Sequence, residues 1–157
     1  MVEEYLRSVQ AYTLHKPARH RFTRNHTYVA GIDAEWQTVL VDMQGIARQN
    51  GEMRYFLTVI DGFSKFAWTI PVNSKDAKAI TAAFEQVLTT AISRHPRRLQ
   101  TDKGKKFINS NFQAVMKRHG IQYFASESEQ KAAVVERFNL TIKTRILTYL
   151  SDRGTVR

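Results

Sequence analysis

The sequence contains no cysteine among its 157 residues, which excludes disulfides, thiolate zinc sites and cysteine nucleophiles. It also lacks any apolar run near the roughly 18 residues that a membrane span needs. Its start, Met1 to Arg7, lacks the basic-then-apolar order of a secretory signal. The five histidines form no recognisable ligand spacing, so zinc is not expected. We therefore expect an intracellular chain that does not enter a membrane.

Acidic residues are the scarce charge, with 14 Asp and Glu against 24 Lys and Arg and a net charge of +10. The basic excess is concentrated after residue 70, whereas residues 31–70 carry more acidic than basic groups. An excess of this size indicates a nucleic-acid binder, because Lys and Arg neutralise phosphates and release counterions. The alternative is a solvated basic surface with no binding role.

The chain divides into a basic segment and one α/β domain. Residues 1–30 hold a possible short helix over 3–12 and then a basic, proline-containing stretch without clear period, which predicts an N-terminal arm or linker. Residues 31–157 form the predicted domain. Its elements are strands over 38–43, 54–60 and 66–71, a helix from 74 to 93, a strand over 98–101, a helix from 110 to 119, a strand over 121–124 and a final helix from 132.

The first three predicted strands are separated by the turn-forming pairs Asn50-Gly51 and Asp61-Gly62, which predicts an antiparallel meander. The later strands alternate with helices and can pair in parallel through right-handed crossovers. The sequence therefore predicts a mixed sheet with flanking helices. Asp61 is interpreted as a structural turn residue, and Asp33 and Glu35 as solvated.

Three other carboxylates lie where a charge is costly. Asp42 ends the apolar run 36–41, Asp102 ends the strand 98–101, and Glu136 lies in the final helix. A charge among apolar neighbours needs a partner, hydrogen bonds or a bound cation. If the three converge, they form an all-oxygen site of the kind that Mg²⁺ prefers. The alternatives are strand-end turn caps for the two aspartates and a solvated helix face for the glutamate.

The segments around these acids resemble the three signature blocks of the retroviral integrase catalytic core. The blocks are 36–43, 101–107 and 135–143, in the same order and on the same kinds of element. Within that superfamily the sequence motifs are most similar to those of the integrases of Polinton (Maverick) transposons, over residues 12 to about 150. The His/Cys zinc-binding module of retroviral relatives has no counterpart in this sequence.

The resemblance implies an RNase H-like fold and a DDE-type polynucleotidyl transferase that processes DNA 3′ ends and transfers strands by phosphoryl transfer. It implies two Mg²⁺ or Mn²⁺ ions, with Asp42 bridging them and with Asp102 and Glu136 each completing one shell. Two other hypotheses stay open. One is a catalytically inactive DNA-binding remnant of a mobile element, and the other is an RNase H-like nuclease that cuts without joining.

The resemblance also implies a DNA-binding face beside the acids. Glu136, Asn139 and Lys143 share one face of the final helix by their spacing. We expect Lys143 and Asn139, together with Lys103 and Lys131, to contact element ends and target DNA. The family further implies a homo-oligomer at full length, a location in the nucleus of a host cell, and a core that continues beyond residue 157, so that the present segment is C-terminally truncated.

Overall fold

The computed structural model describes residues 28–49, 51–102, 104, 106–125 and 133–152. The predicted arm therefore lies outside the described residues except for 28–30, as do Lys103 and Lys131. Within the described part, no helix is both long and apolar enough to cross a membrane.

The described residues form a five-stranded mixed sheet with flanking helices, which confirms the predicted RNase H-like α/β fold. The strand order is β3-β2-β1-β4-β5, with the first three strands antiparallel and β4 and β5 parallel to β1. The elements are β1 Glu35–Asp42, a 3₁₀ helix Gln44–Gln49, β2 Tyr55–Asp61, β3 Ala67–Val72, α1 Ala77–Thr90, β4 Arg98–Thr101, α2 Ser110–Arg118, β5 Gln122–Ala125 and α3 Ala133–Asp152.

The two faces of the sheet are covered by different helices. Trp36, Leu57 and Leu99 point to the larger core, where they pack with apolar residues of α1 and α2 such as Phe84 and Phe112. Ile60 points to the other face, where it forms a smaller cluster with Val135 of α3 and with Val39. Successive side chains of a strand alternate between faces, so β1 contributes every second residue to each core.

The helices begin and end slightly away from the predicted positions. The residue before α1 is Asp76, and Ser74 instead donates its hydroxyl to the Asp76 carboxylate. The residue before α2 is Asn109, whose side chain accepts a hydrogen bond from the backbone N–H of Phe112 at 2.9 Å. The predicted helix start at residue 74 is therefore wrong, because the Ser74 hydroxyl binds Asp76 instead of a helical N–H group and α1 begins at Ala77. Ser110 is the first residue of α2, as predicted, and Asn109 caps it. Gly120 has a φ of 64° and follows the end of α2 as predicted.

Asp61 is a structural residue, as the sequence predicts. It is fully buried and accepts hydrogen bonds from the backbone N–H groups of Phe63 and Ser64, at 3.3 and 3.1 Å. Arg94 binds it at 2.6 Å and also binds Asp33 at 2.8 Å. Burial raises the pKa of Asp61, but the hydrogen bonds from Ser64, Phe63 and Arg94 outweigh it, so the pKa lies below its ordinary value.

The expectation that Asp33 and Glu35 are solvated is wrong. Asp33 accepts the indole N–H of Trp36 at 2.9 Å in addition to its ion pair with Arg94. Glu35 is buried at the start of β1 and pairs with Arg98 of β4 at 3.2 Å. The arginine partners of both acids come from positions about 60 residues further along the chain.

We predict that Asp61→Asn lowers the free energy of unfolding by about 3–5 kcal/mol at neutral pH, because it leaves the Arg94 charge without its buried partner. The depressed pKa of Asp61 means that its contribution is present above the ordinary carboxyl pKa and is lost as pH falls through the lower folded-state pKa. Urea unfolding of both proteins at neutral and acidic pH measures this, and the difference between them should shrink in acid.

Asp76→Asn is the matched control, since Asp76 is exposed and makes no side-chain cap bond to α1. We expect it to change the unfolding free energy by less than about 0.5 kcal/mol. Equal losses in the two variants would contradict a special role for the buried pair.

Candidate active site at the carboxyl ends of β1 and β4

Asp42 is the last residue of β1, and its carboxylate binds the turn that follows. One oxygen accepts the backbone N–H of Gln44 at 2.9 Å, and the other accepts the Gln44 side-chain amide at 3.0 Å. The same amide donates to the Tyr55 hydroxyl at 2.6 Å. Asp42 itself is exposed. In this arrangement Asp42 caps a strand-end turn, which is one of the two roles that its sequence position allowed.

Asp102 follows β4 directly and is partly exposed. Its carboxylate accepts the backbone N–H of Gly104 at 3.0 Å and binds the Lys106 ammonium at 2.9 Å. A Cβ atom at position 104 would lie 2.8 Å from the Asp102 carboxylate, so a larger residue there would have to displace that carboxylate. Lys106 is a site residue that sequence reasoning missed, although its position four residues after Asp102 was visible.

Glu136 lies exposed in the first turn of α3, where a negative charge is favourable beside free helical N–H groups. The preceding residue, Val135, is fully buried, and its backbone N–H lies 3.3 Å from the side-chain oxygen of Gln37. Val135 belongs to the small cluster that includes Val39. The start of α3, with Glu136, is therefore docked on β1 between residues 37 and 39.

The strand register places Asp102 and Asp42 at different heights along β1. Thr101 pairs with Thr38, so Asp102 follows at the level of Val39. Asp42 lies three residues further on, about 10 Å at the usual rise of a strand. An odd separation also puts residues 39 and 42 on opposite faces of the sheet. Asp102 and the Glu136 helix thus share one stretch of β1, and Asp42 lies away from it.

This placement bears on the divalent metal that the sequence resemblance implies. Within the described ranges, no group of three or more His, Cys, Asp or Glu side chains is positioned to hold a metal ion. Both carboxylate oxygens of Asp42 accept hydrogen bonds from Gln44, and one carboxylate oxygen of Asp102 binds Lys106. The residues as placed therefore do not fit a three-carboxylate site. The assignment of Asp42, Asp102 and Glu136 stays a prediction, tested by the cation titration below.

The predicted DNA-binding residues of α3 differ in exposure. Lys143 is exposed, as are Arg137 and Arg145, which the sequence reading did not single out. Asn139 is only 9% exposed, and its side-chain oxygen has no hydrogen-bond partner within the described structure. Its burial separates Asn139 from the exposed face on which it was predicted to lie with Lys143.

The chain matches the model of one protein family, the integrase core domain, over residues 33–131. Its relatives include a transposon-derived protein of Caenorhabditis elegans, 29% identical over 111 residues, which are 71% of this chain and 38% of the relative. The Pro-Pol polyprotein of simian foamy virus type 1 is 33% identical over 98 residues, which are 61% of this chain and 8% of the polyprotein. The chain thus spans well under half the length of these relatives.

Similar solved structures are integrases. The HTLV-2 integrase catalytic core domain, solved in complex with magnesium, has a TM-score of 0.64 and 19% identity over 83% of this chain and 80% of that chain. The simian T-cell lymphotropic virus intasome, solved with the PP2A regulatory subunit B56 gamma, has a TM-score of 0.71 and 17% identity over 99% of this chain and 62% of that chain. These likenesses support the fold. The family model covers residues 33–131, which is more than half of the chain, so the chain belongs to the integrase core domain family, whose members are DDE-type polynucleotidyl transferases.

Proposed function

We propose that this chain is the part of a longer integrase or transposase that holds DNA beside the carboxyl ends of β1 and β4. The exposed basic side chains of α3 carry the proposal. Arg137, Lys143 and Arg145 are exposed on the helix that docks beside Asp102, and no acidic residue occurs between Glu136 and Asp152. No ion pair within the described part of the chain uses these three groups. Their charges are therefore available to phosphates.

The activity proposed for the whole protein is that of its family, 3′-end processing followed by DNA strand transfer. DNA ends and target DNA are the partners in this proposal. The homo-oligomer and the nuclear location stay predictions, as does the pair of Mg²⁺ or Mn²⁺ ions. What this chain contributes is binding and positioning. Its basic helix would grip the sugar-phosphate backbone, and the docking of α3 on β1 would fix the height of that helix relative to Asp102.

A second candidate, DNA binding without catalysis, is favoured by one observation. Asp42 caps the turn after β1 and lies on the sheet face opposite the Glu136 helix, so the three predicted acids are not assembled. A joining assay separates the two candidates, using an oligonucleotide end, plasmid DNA and Mg²⁺ or Mn²⁺. Binding with joining supports the enzyme, whereas binding without joining supports the non-catalytic reading. Cutting without joining would support the nuclease hypothesis.

We predict that DNA binding by this chain is weakly dependent on sequence and falls steeply as salt rises, since phosphate contacts dominate it. Lys143→Ala should weaken binding to all sequences and reduce the slope of log affinity against log salt by about one. Fluorescence anisotropy of a labelled duplex over a salt series, in EDTA, gives both quantities. EDTA keeps the measurement independent of any metal.

Lys117→Ala provides the matched control. Lys117 is an exposed lysine in the last turn of α2, on the opposite side of the sheet from α3. Its removal subtracts the same charge but should leave the salt slope within error of the wild type. If both variants changed the slope alike, or if affinity did not depend on salt, the solvated-surface interpretation would be preferred.

A further inference from the structure

The side chains on the two faces of β1 pack against different sets of residues. Leu40 packs against the larger core. Asp42 pairs in the β1–β2 register with Tyr55, which belongs to that same core. Gln37 and Val39 lie on the other face, where Gln37 meets the backbone of Val135 and Val39 joins its cluster. Because side chains alternate along a strand, a carboxylate on the α3 side of β1 has to occupy an odd-numbered position.

Val39 is the residue of that face that the strand register and the packing of α3 place beside the segments carrying both remaining acids. The parallel register puts Asp102 at its level on β4. The cluster with Val135 puts the residue before Glu136 beside it on α3. A valine at this point offers two methyl groups and no oxygen. Asp102 and the residue before Glu136 therefore lie beside an apolar side chain and not beside an oxygen ligand.

Asn139 is an independent observation of a polar group in the core between α3 and β1. It lies four residues after Val135, hence on the same face of α3. Its buried side-chain oxygen has no partner among the described residues. A buried unsatisfied polar atom costs about 1–3 kcal/mol, so natural cores rarely hold one without a reason. An amide without a partner is out of place in an apolar cluster and fits the edge of a polar site.

We infer that Val39 occupies the position at which a third carboxylate would meet Asp102 and Glu136, so that this chain lacks a complete divalent-cation site there. Asp42 serves the β1 turn in place of a metal. The inference rests on the family fold of the proposed function, and it favours the second candidate, DNA binding without catalysis by this chain. Two carboxylates remain, and Lys106 already neutralises one of them. Such a set attracts a divalent cation only weakly, since affinity rises with the number of charged oxygen ligands.

The experiment is a Mn²⁺ titration of the full 157-residue chain, followed by electron paramagnetic resonance of the free ion. Wild type, Val39→Asp, Val39→Asn and Asp42→Asn are compared. We expect weak binding by the wild type and at least about tenfold tighter binding by Val39→Asp, since it adds one charged ligand. Val39→Asn introduces a side chain of the same shape as Val39→Asp but without the charge, so its Mn²⁺ affinity should stay near that of the wild type. Asp42→Asn should leave the affinity unchanged, because Asp42 faces the other side of the sheet.

Two results would overturn the inference. One is tight binding by the wild type that Asp42→Asn abolishes, which would restore the set of Asp42, Asp102 and Glu136. The other is a Val39→Asp protein that folds, by circular dichroism, yet gains no affinity. If Val39→Asp does not fold, the wild-type and Asp42→Asn titrations still decide. DNA binding measured in EDTA fails or succeeds independently, so a failure of the proposed function is distinguishable from a failure of this inference.

Discussion

The central strand β1 has to serve two cores at once, and the rest of the structure follows from that constraint. It lies between β2 and β4, and each of its faces is covered by a different set of helices. Its pleat therefore assigns every residue to one core or the other with no freedom, because a shift by one residue would exchange the two faces. Trp36 and Leu40 complete the core with α1 and α2, and Gln37 and Val39 receive α3. The position of any functional side chain along β1 therefore decides which face of the sheet it lies on.

Three carboxylates of the domain, one buried and two accessible to solvent, differ in the partners that they bind. Asp61 is fully buried and is accommodated by Arg94 and three hydrogen-bond donors on its own turn. Asp42 and Asp102 lie at strand ends with solvent access and take their partners from the next few residues. Of these three acids, only the buried Asp61 takes a partner from a distant segment, since desolvation opposes its charge most strongly. The arginine that binds it also contacts the ring faces of Phe66 and Trp68, so the ion pair is tied into the end of the sheet.

Much of this fold is predictable from local sequence. The strands and helices were recognised because their apolar residues repeat with the period of each element, and Asp61 was recognised as structural because Asp-Gly between strands favours a turn. The start of α1 lies three residues after the predicted one, because Ser74 and Asp76 are both capping residue types and the local pattern does not choose between them. The partners of Asp33 and Glu35 come from distant parts of the chain, which local pattern does not reveal.

The candidate site was harder to predict for a geometric reason. The order and spacing of the signature blocks identify the family, but they do not state which residue of the first block faces the α3 helix. Asp42 is the acid that the run 36–43 contains, and sequence reasoning selected it for that reason. The register with β4 and the packing of Val135 place position 39, and not Asp42, on the face that α3 covers. Parity along a strand decides this, and it becomes visible only once the neighbouring strands are aligned.

Pro71 in β3 has a consequence for how copies of this domain can associate. Within the described sheet β3 is an edge strand, and its exposed proline lacks the N–H group that an added strand would need. Edge strands are otherwise templates for intermolecular pairing. On this side the sheet thus resists extension by a neighbouring chain. Self-association of two copies through one continuous sheet is therefore disfavoured at the β3 edge.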